Sequence, residues 1–542
     1  MKMKNLINIL ITLLLAQNLF AQNNQQQTNE LQPKSEPLEL PNFIIQGNLK
    51  VDVASGAKQD PSKPASLSNI ILDSINSLDK QPSILINSFE LIPLTLKQTP
   101  INAFLGFDIG RFTTGDIYGS YQTKIGGYDL AFNGDYQFGS GHIDNSDFSK
   151  FWLNASSDFI APTKFFIFGG SRTRTIIDYK NSSYKLYSNI LNPFQRNVNH
   201  FKASLDVDGN YGGVQFQTGL GFNGFQLKTD NIETADNNFN AFLRMKKRWD
   251  KFLIGANAIV DIHTLAGNSS NYMQLGGELS LIAGDLSLGA EAGLQIASTP
   301  MGDDRGGLLI LGNAEYRLNK FFTMKGNIRS GLVHQTFIDN YYQNPYLSNF
   351  SQFDFAYDIL NFDGIIEFHP YQELTVSALF NFSHKDRIPV YIDDDMIQLG
   401  SFLMSYQTGT IIKSEFELNW NIPEVGTILS NITAIKSSLS DFSTSFIPYY
   451  PNISISTEFI KQWDEKFGTK IGFDYVGERY IDLENNKLLD PYLNLKLGVD
   501  YFLIKNLKLF VNFDNLLNSD IYIWNSYKER GIFASIGARY NF

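Results

Sequence analysis

The sequence predicts an all-β fold: a transmembrane antiparallel β-barrel of about 22 strands, preceded by a short amino-terminal segment with one helix. Three observations predict it. From residue 101 onward, apolar and polar residues alternate in stretch after stretch. Tight turns and longer polar loops take turns between those stretches. No apolar run approaches the roughly 18 residues that a spanning helix needs. Yet aromatic residues make up 14% of the chain, with 44 Phe and 26 Tyr. That hydrophobic content is spread as alternation, which is how a membrane barrel hides its spanning domain from a hydropathy plot.

The clearest hairpin runs from Gln274 to Ile296. Leu275, Gly277, Leu279 and Leu281 alternate with Gln274, Gly276, Glu278 and Ser280. After a turn at Ala283-Gly284-Asp285, Leu286, Leu288, Ala290, Ala292, Leu294 and Ile296 alternate with Ser287, Gly289, Glu291, Gly293 and Gln295. Successive side chains of a strand point to opposite faces, so each strand has one apolar and one polar face. Leu493 to Tyr501 and Leu507 to Phe513 repeat the pattern. Reading the chain this way places the first strand at 102–112 and the last at 531–542, with others at 163–178, 372–386, 447–463, 466–482 and 505–518. The total is even, as a single-chain barrel requires. Tight turns such as Gly126-Gly127, Gly209 to Gly213, Gly284-Asp285 and Leu503 to Asn506 fall at every second connection. A periplasmic carboxy terminus makes them all periplasmic. The long loops, including 179–198, 336–355, 387–403 and 519–530, then lie outside.

The amino terminus has a different character. Lys2 and Lys4 precede an apolar run from Leu6 to Leu15, and the stretch closes on Leu19-Phe20-Ala21. This pattern predicts a signal peptide over 1–21. Residues 22–100 are expected to be a linker and a reduced plug. Gln22 to Gln32 is rich in Gln and Asn, and Pro33, Pro37 and Pro41 follow. Leu67, Ile70, Ile71, Ile75 and Leu78 then recur at helical spacing between Ser66 and Pro82, which predicts an amphipathic helix near 67–80. Such a short helix is marginal alone in water and needs a surface to cover. The barrel domain is assigned to 101–542.

The last strand, Gly531 to Phe542, ends the sequence on an aromatic residue. Its pattern Ser535-x-Gly537-x-x-Tyr540-x-Phe542 resembles the signal by which bacterial outer-membrane barrels are recognised for insertion. The resemblance implies the barrel-assembly machinery and outer-membrane lipid as partners, in the outer membrane of a Gram-negative bacterium. Asn515-Leu516-Leu517-Asn518, Tyr522, Tyr527, Arg530-Gly531 and the final strand together resemble the carboxy-terminal segment of the TonB-dependent receptors. The order Arg530-Gly531 departs from that family's Gly-Arg. The family's full plug domain is not recognisable, and Leu40 to Gly47 only faintly resembles its TonB-binding box. The resemblance implies binding and uptake of a solute, with TonB as a candidate partner. A passive porin-like channel and a structural or secretion-associated barrel are the alternatives.

Nothing points to an enzyme or to a cofactor. The chain has no Cys, so thiolate chemistry and disulfides are excluded. Its six His residues lack ligand spacing. A net charge of -11 with no basic stripe speaks against nucleic acid. Asp303-Asp304 and Asp393-Asp394-Asp395 fall in predicted outer loops, where solvated acids are a commoner use than calcium. The charges on the polar parity are the candidate lumen residues: Glu278, Glu291, Glu415, Glu417, Lys496, Asp500 and Arg539. Arg172 and Arg174 join them. Pairing with lumen carboxylates is their favoured use over attraction of anionic solutes. Tyr341, Tyr342, Tyr346 and Phe350 crowd one outer loop, where packing is favoured over stacking on a ligand.

Overall fold

A computed structural model describes residues 103–163, 169–188, 192–442 and 446–542. The signal peptide, the 22–100 segment, its helix and the Leu40 to Gly47 stretch lie outside them. The described chain forms a closed antiparallel barrel of 22 strands. In order they are β1 Ala103–Gly110, β2 Thr114–Ile125, β3 Tyr128–Gly139, β4 Phe148–Ile160, β5 Arg172–Lys185, β6 Gln195–Tyr211, β7 Val214–Thr229, β8 Ile232–Trp249, β9 Phe252–Leu265, β10 Tyr272–Ala283 and β11 Leu286–Ser298. They continue as β12 Asp304–Asn319, β13 Phe322–Leu332, β14 Tyr357–Tyr371, β15 Leu374–Asp393, β16 Phe402–Ile422, β17 Gly426–Leu439, β18 Ile453–Gln462, β19 Phe467–Val476, β20 Tyr492–Ile504, β21 Leu507–Asp514 and β22 Phe533–Asn541. The two-residue strand Asn268–Ser269 only lengthens the hairpin of β9.

Closure follows the expectation. β1 pairs with β22, Leu105 opposite Tyr540 and Asp108 opposite Gly537. An open edge in hydrocarbon would strand backbone groups at several kcal/mol each, so the sheet must meet itself. Gly537 shows how tight the seam is. A Cβ there would stand 2.3 Å from the Phe510 ring and 2.4 Å from the Phe107 carbonyl oxygen.

The wall is apolar outside and polar inside. Leu275, Leu294 and Ile296 are 57%, 64% and 63% exposed, whereas their neighbours Gln274, Glu291 and Gln295 are 8%, 8% and 1% exposed. Tight turns join the strands at one end. Gly126 and Gly127 at φ 57° and 91° supply the left-handed pair that a two-residue hairpin needs.

Several boundaries differ from the sequence reading, among them the strand expected at 447–463, which is Ile453–Gln462. The strand expected at 163–178 runs from Arg172 to Lys185 instead. Its start is set by pairing with β4 along its length, Ile160 opposite Arg172 and Phe148 opposite Tyr184. Most of the expected loop 179–198 is therefore strand. β15 extends to Asp393, which shortens the next loop to 394–401. β19 and β21 stop early, at Val476 and Asp514, and leave longer loops at 477–491 and 515–532.

Candidate functional site

At the end of the barrel away from the tight turns, the long loops condense. The loop after β13 opens with helix α1, Phe337–Gln343. Thr336 caps it: its hydroxyl accepts from the Asp339 backbone N–H at 3.2 Å, and the Asp339 carboxylate accepts from the Thr336 N–H at 2.8 Å. This reciprocal pair satisfies two end donors and starts a helix too short to persist alone. α1 buries Phe337, Ile338, Asn340 and Tyr341.

Phe337, Ile338 and Tyr341 belong to one apolar cluster. It gathers Leu186, Phe225, Leu227, Leu332, Tyr346, Leu347, Phe402, Tyr449, Trp524 and Tyr527 from strand ends and loops all around the ring. Tyr346, after β13, stacks on Tyr527, after β21, with ring centroids 3.5 Å apart. Tyr187, after β5, meets the same Tyr527 edge-on at 4.9 Å. Contacts between such distant hairpins bridge the opening. The aromatic residues Tyr341 and Tyr346 thus serve loop packing, the favoured reading; Phe350 is 43% exposed.

Hydrogen bonds pin this cap to the wall. Asn349 Nδ2 donates to the Leu227 carbonyl at 2.9 Å and to Thr234 Oγ1 at 3.0 Å; its Oδ1 accepts from Thr229 at 2.6 Å and Gln398 Nε2 at 3.1 Å. Arg305 forks onto Asp354 at 3.0 and 2.8 Å. His334 Nε2 sits 2.6 Å from Asp261, and His263 bonds Asp236. Among the described residues no group of three His, Asp, Glu or Cys is placed to hold a metal. Asp394 spends its carboxylate on the backbone N–H groups of Met396, Ile397 and Gln398 and on Ser348. Asp393 accepts from Asn525 at 2.6 Å. These bonds stabilise a turn and need no calcium.

The residues singled out on the polar parity are spread along the wall rather than gathered. Glu278 accepts from Lys246 at 2.9 Å and lies 3.7 Å from Arg244. Glu291 accepts from Gln274 at 3.3 Å. Glu415 holds Lys413 at 2.5 Å and Asn431 at 2.7 Å, with Glu417 two positions along the same strand. Lys496 reaches Asp474 at 2.7 Å, and Asp500 is registered opposite Gly468. Arg539 lies 3.8 Å over the Phe104 ring. Arg172 grips Asp158 through both carboxylate oxygens, and Arg174 stands 3.8 Å from the same group. In the terminal motif, Ser535 donates to Asp108 at 3.0 Å, and Tyr540 and Phe542 meet edge to face at 5.0 Å. Arg196, Gln398, Asn349 and Trp524 were not singled out from sequence. Arg196 lies at a strand end and the other three inside loops, with no local pattern to mark them.

No protein-family model matches the sequence, and no curated protein is similar to it. Solved structures do resemble the fold. The copper transporter OprC superimposes with a TM-score of 0.62 at 11% identity, over 81% of this chain and 80% of its own. The FrpB iron transporter from Neisseria meningitidis gives 0.63 at 10% identity, over 81% of each chain. The chain has the barrel fold of the TonB-dependent receptors. The siderophore receptor PiuA from Acinetobacter baumannii gives 0.61 at 10% identity, again over 81% of each. The exposed apolar outer face is what a barrel standing in lipid requires. At such identities the likeness extends to the receptor fold and leaves side-chain roles to be argued from the residues present.

Proposed function

We propose that the chain is a gated outer-membrane receptor that binds a solute and takes it up, with TonB as the energising partner. The observation that carries this reading is the cap. A passive porin-like channel needs an open mouth, and here a folded apolar cluster bridges it. Solutes would reach the lumen only when that cluster rearranges. The wall residues Arg172, Arg174, Glu278, Glu291, Glu415, Glu417, Lys496, Asp500 and Arg539 would then line the route, their charges costing little in a wet lumen. Within the 22–100 segment, residues near 43–100 would supply a reduced plug, through Leu67, Ile70, Ile71, Ile75 and Leu78, at the other end. Side chains alone cannot fill a barrel this wide. Ser535, Gly537, Tyr540 and Phe542 would present the insertion signal to the barrel-assembly machinery.

Two measurements test the reading. Uptake of labelled nutrients by expressing cells, against a deletion strain, should stop when the proton gradient is collapsed. Persistent uptake would favour the passive channel. In planar bilayers, with the cap loosened by Phe402→Ala, the otherwise full chain should be nearly silent, and further deletion of 43–95 should give a large conducting pore. Equal conductance of the two proteins would remove the plug.

A further inference from the structure

The cap holds a buried cation that lacks a counter-charge. Arg196, the second residue of β6, has no exposed surface. Its Nε donates to Thr229 Oγ1 at 3.1 Å, its Nη1 to the Pro345 carbonyl at 3.0 Å and its Nη2 to Gln398 Oε1 at 3.3 Å. All three acceptors are neutral. Among the described residues no carboxylate stands within ion-pair distance of it. The hydroxyls of Tyr184, Tyr341 and Tyr527 surround it, and burial holds the phenols of the two loop residues, Tyr341 and Tyr527, above their ordinary value. Two acids act on the phenols of this cluster, Asp393 on Tyr527 and Glu529 on Tyr346, and Asp393 is engaged by Asn525 and Tyr449. Arg305 and Arg329 of this end are paired, at 2.8 Å from Asp354 and 3.1 Å from Asp358, whereas Arg479, 4% exposed, is a second guanidinium with neutral acceptors, the Tyr522 and Ile523 carbonyls. Arginine is rarely fully buried unless paired, because a guanidinium loses much solvation on leaving water.

Two of the three neutral acceptors come from the segments that close the mouth; the third, Thr229, ends β7 of the wall. Pro345 follows α1. Gln398 sits in the 394–401 loop and also bonds Asn349. We propose that Arg196 is an anion receptor and the release point of the cap: an anionic solute, carboxylate- or phosphate-bearing, takes the places of Pro345 and Gln398. This deepens the uptake reading and rests on it by naming the solute class. The closed state offers the anion no access. An open state leaves Arg196 short of acceptors, which the anion supplies with full charge. A ligand that binds only the open state shifts the population toward it. An ionised acceptor adds the Coulomb attraction of an opposite charge to bonds that the guanidinium otherwise makes to neutral oxygens. Neutral and cationic solutes gain nothing at this position.

The experiment follows amide hydrogen exchange of residues 336–349 in the full chain, in detergent, at constant ionic strength. Citrate, inorganic phosphate, sorbitol and spermidine are the probes. Citrate or phosphate should speed exchange in this segment about tenfold, and sorbitol and spermidine should not. Gln398→Glu gives Arg196 an internal carboxylate, although it removes the donor to Asn349 Oδ1; the cap should stop responding to anions. Arg196→Gln should abolish the anion response while the barrel strands keep their protection, which separates loss of the receptor from loss of the fold. An anion response retained in Arg196→Gln, or none from either anion in the unaltered protein, would overturn the proposal. The assay involves no transport. A receptor with proton-gradient-dependent uptake but no anion response would lose this inference and keep the uptake reading.

Discussion

The wall and the cap are built from the same residue types on opposite plans. In the wall, the apolar side chains are the exposed ones: Ile109 is 60% and Leu294 64% exposed, and the polar residues between them are enclosed. In the cap, Phe402 and Leu347 are 1% and 0% exposed, as in the core of a water-soluble domain. The solvent explains the inversion. Lipid covers the wall, so hydrophobic residues gain nothing by turning inward there. Water covers the cap, so its aromatics gain by clustering. The difference teaches that the barrel and its lid are separable in energy. The wall is held by backbone ladders around a closed ring, and the cap by side-chain packing and a few polar pins.

That separation can be tested in order of expected effect. Phe402 touches Trp524 at 5.0 Å and Tyr449 at 5.7 Å between ring centroids. Truncating it to Ala should cost about 3–5 kcal/mol, as buried aromatic deletions do. The loss should appear as faster exchange in the cap with the barrel strands unchanged. If the strands lose protection in parallel, wall and cap are one cooperative unit. Next is Leu294→Arg, which puts a charge on the lipid-facing side of β11. It should cost roughly 2–4 kcal/mol near the midplane. Here the loss should show in unfolding of the whole barrel into denaturant, with the cap no more affected than the rest. The smallest effect belongs to the Lys124–Asp129 pair beside a tight turn, with side chains 70% and 54% exposed. Lys124→Gln should change stability by less than about 1 kcal/mol, because water screens such a pair. A larger loss would mean that this rim carries more of the barrel's stability than the ladders predict.

The strands were legible because their environment is fixed in advance. Gln274 to Ile296 sits between lipid and an enclosed polar face, so its period of two is written residue by residue. The same rule marked Glu278, Glu291 and Lys496. It failed at β5. Phe165 to Phe168 make an apolar run without alternation, and only pairing with Phe148–Ile160 fixed the start at Arg172. Fold class, strand number and the closure of the first strand on the last were thus determined by the sequence alone, since each follows from local period and from the need to satisfy every backbone group in hydrocarbon. The cap was decided only by tertiary structure. Arg196 and Gln398 are 202 positions apart, and Thr229 and Asn349 are 120 apart. Nothing near either partner in the chain announces the other. Only the ring of strands, by bringing the loop ends together over one opening, gives Tyr346 its stack on Tyr527 and leaves Arg196 buried among neutral oxygens.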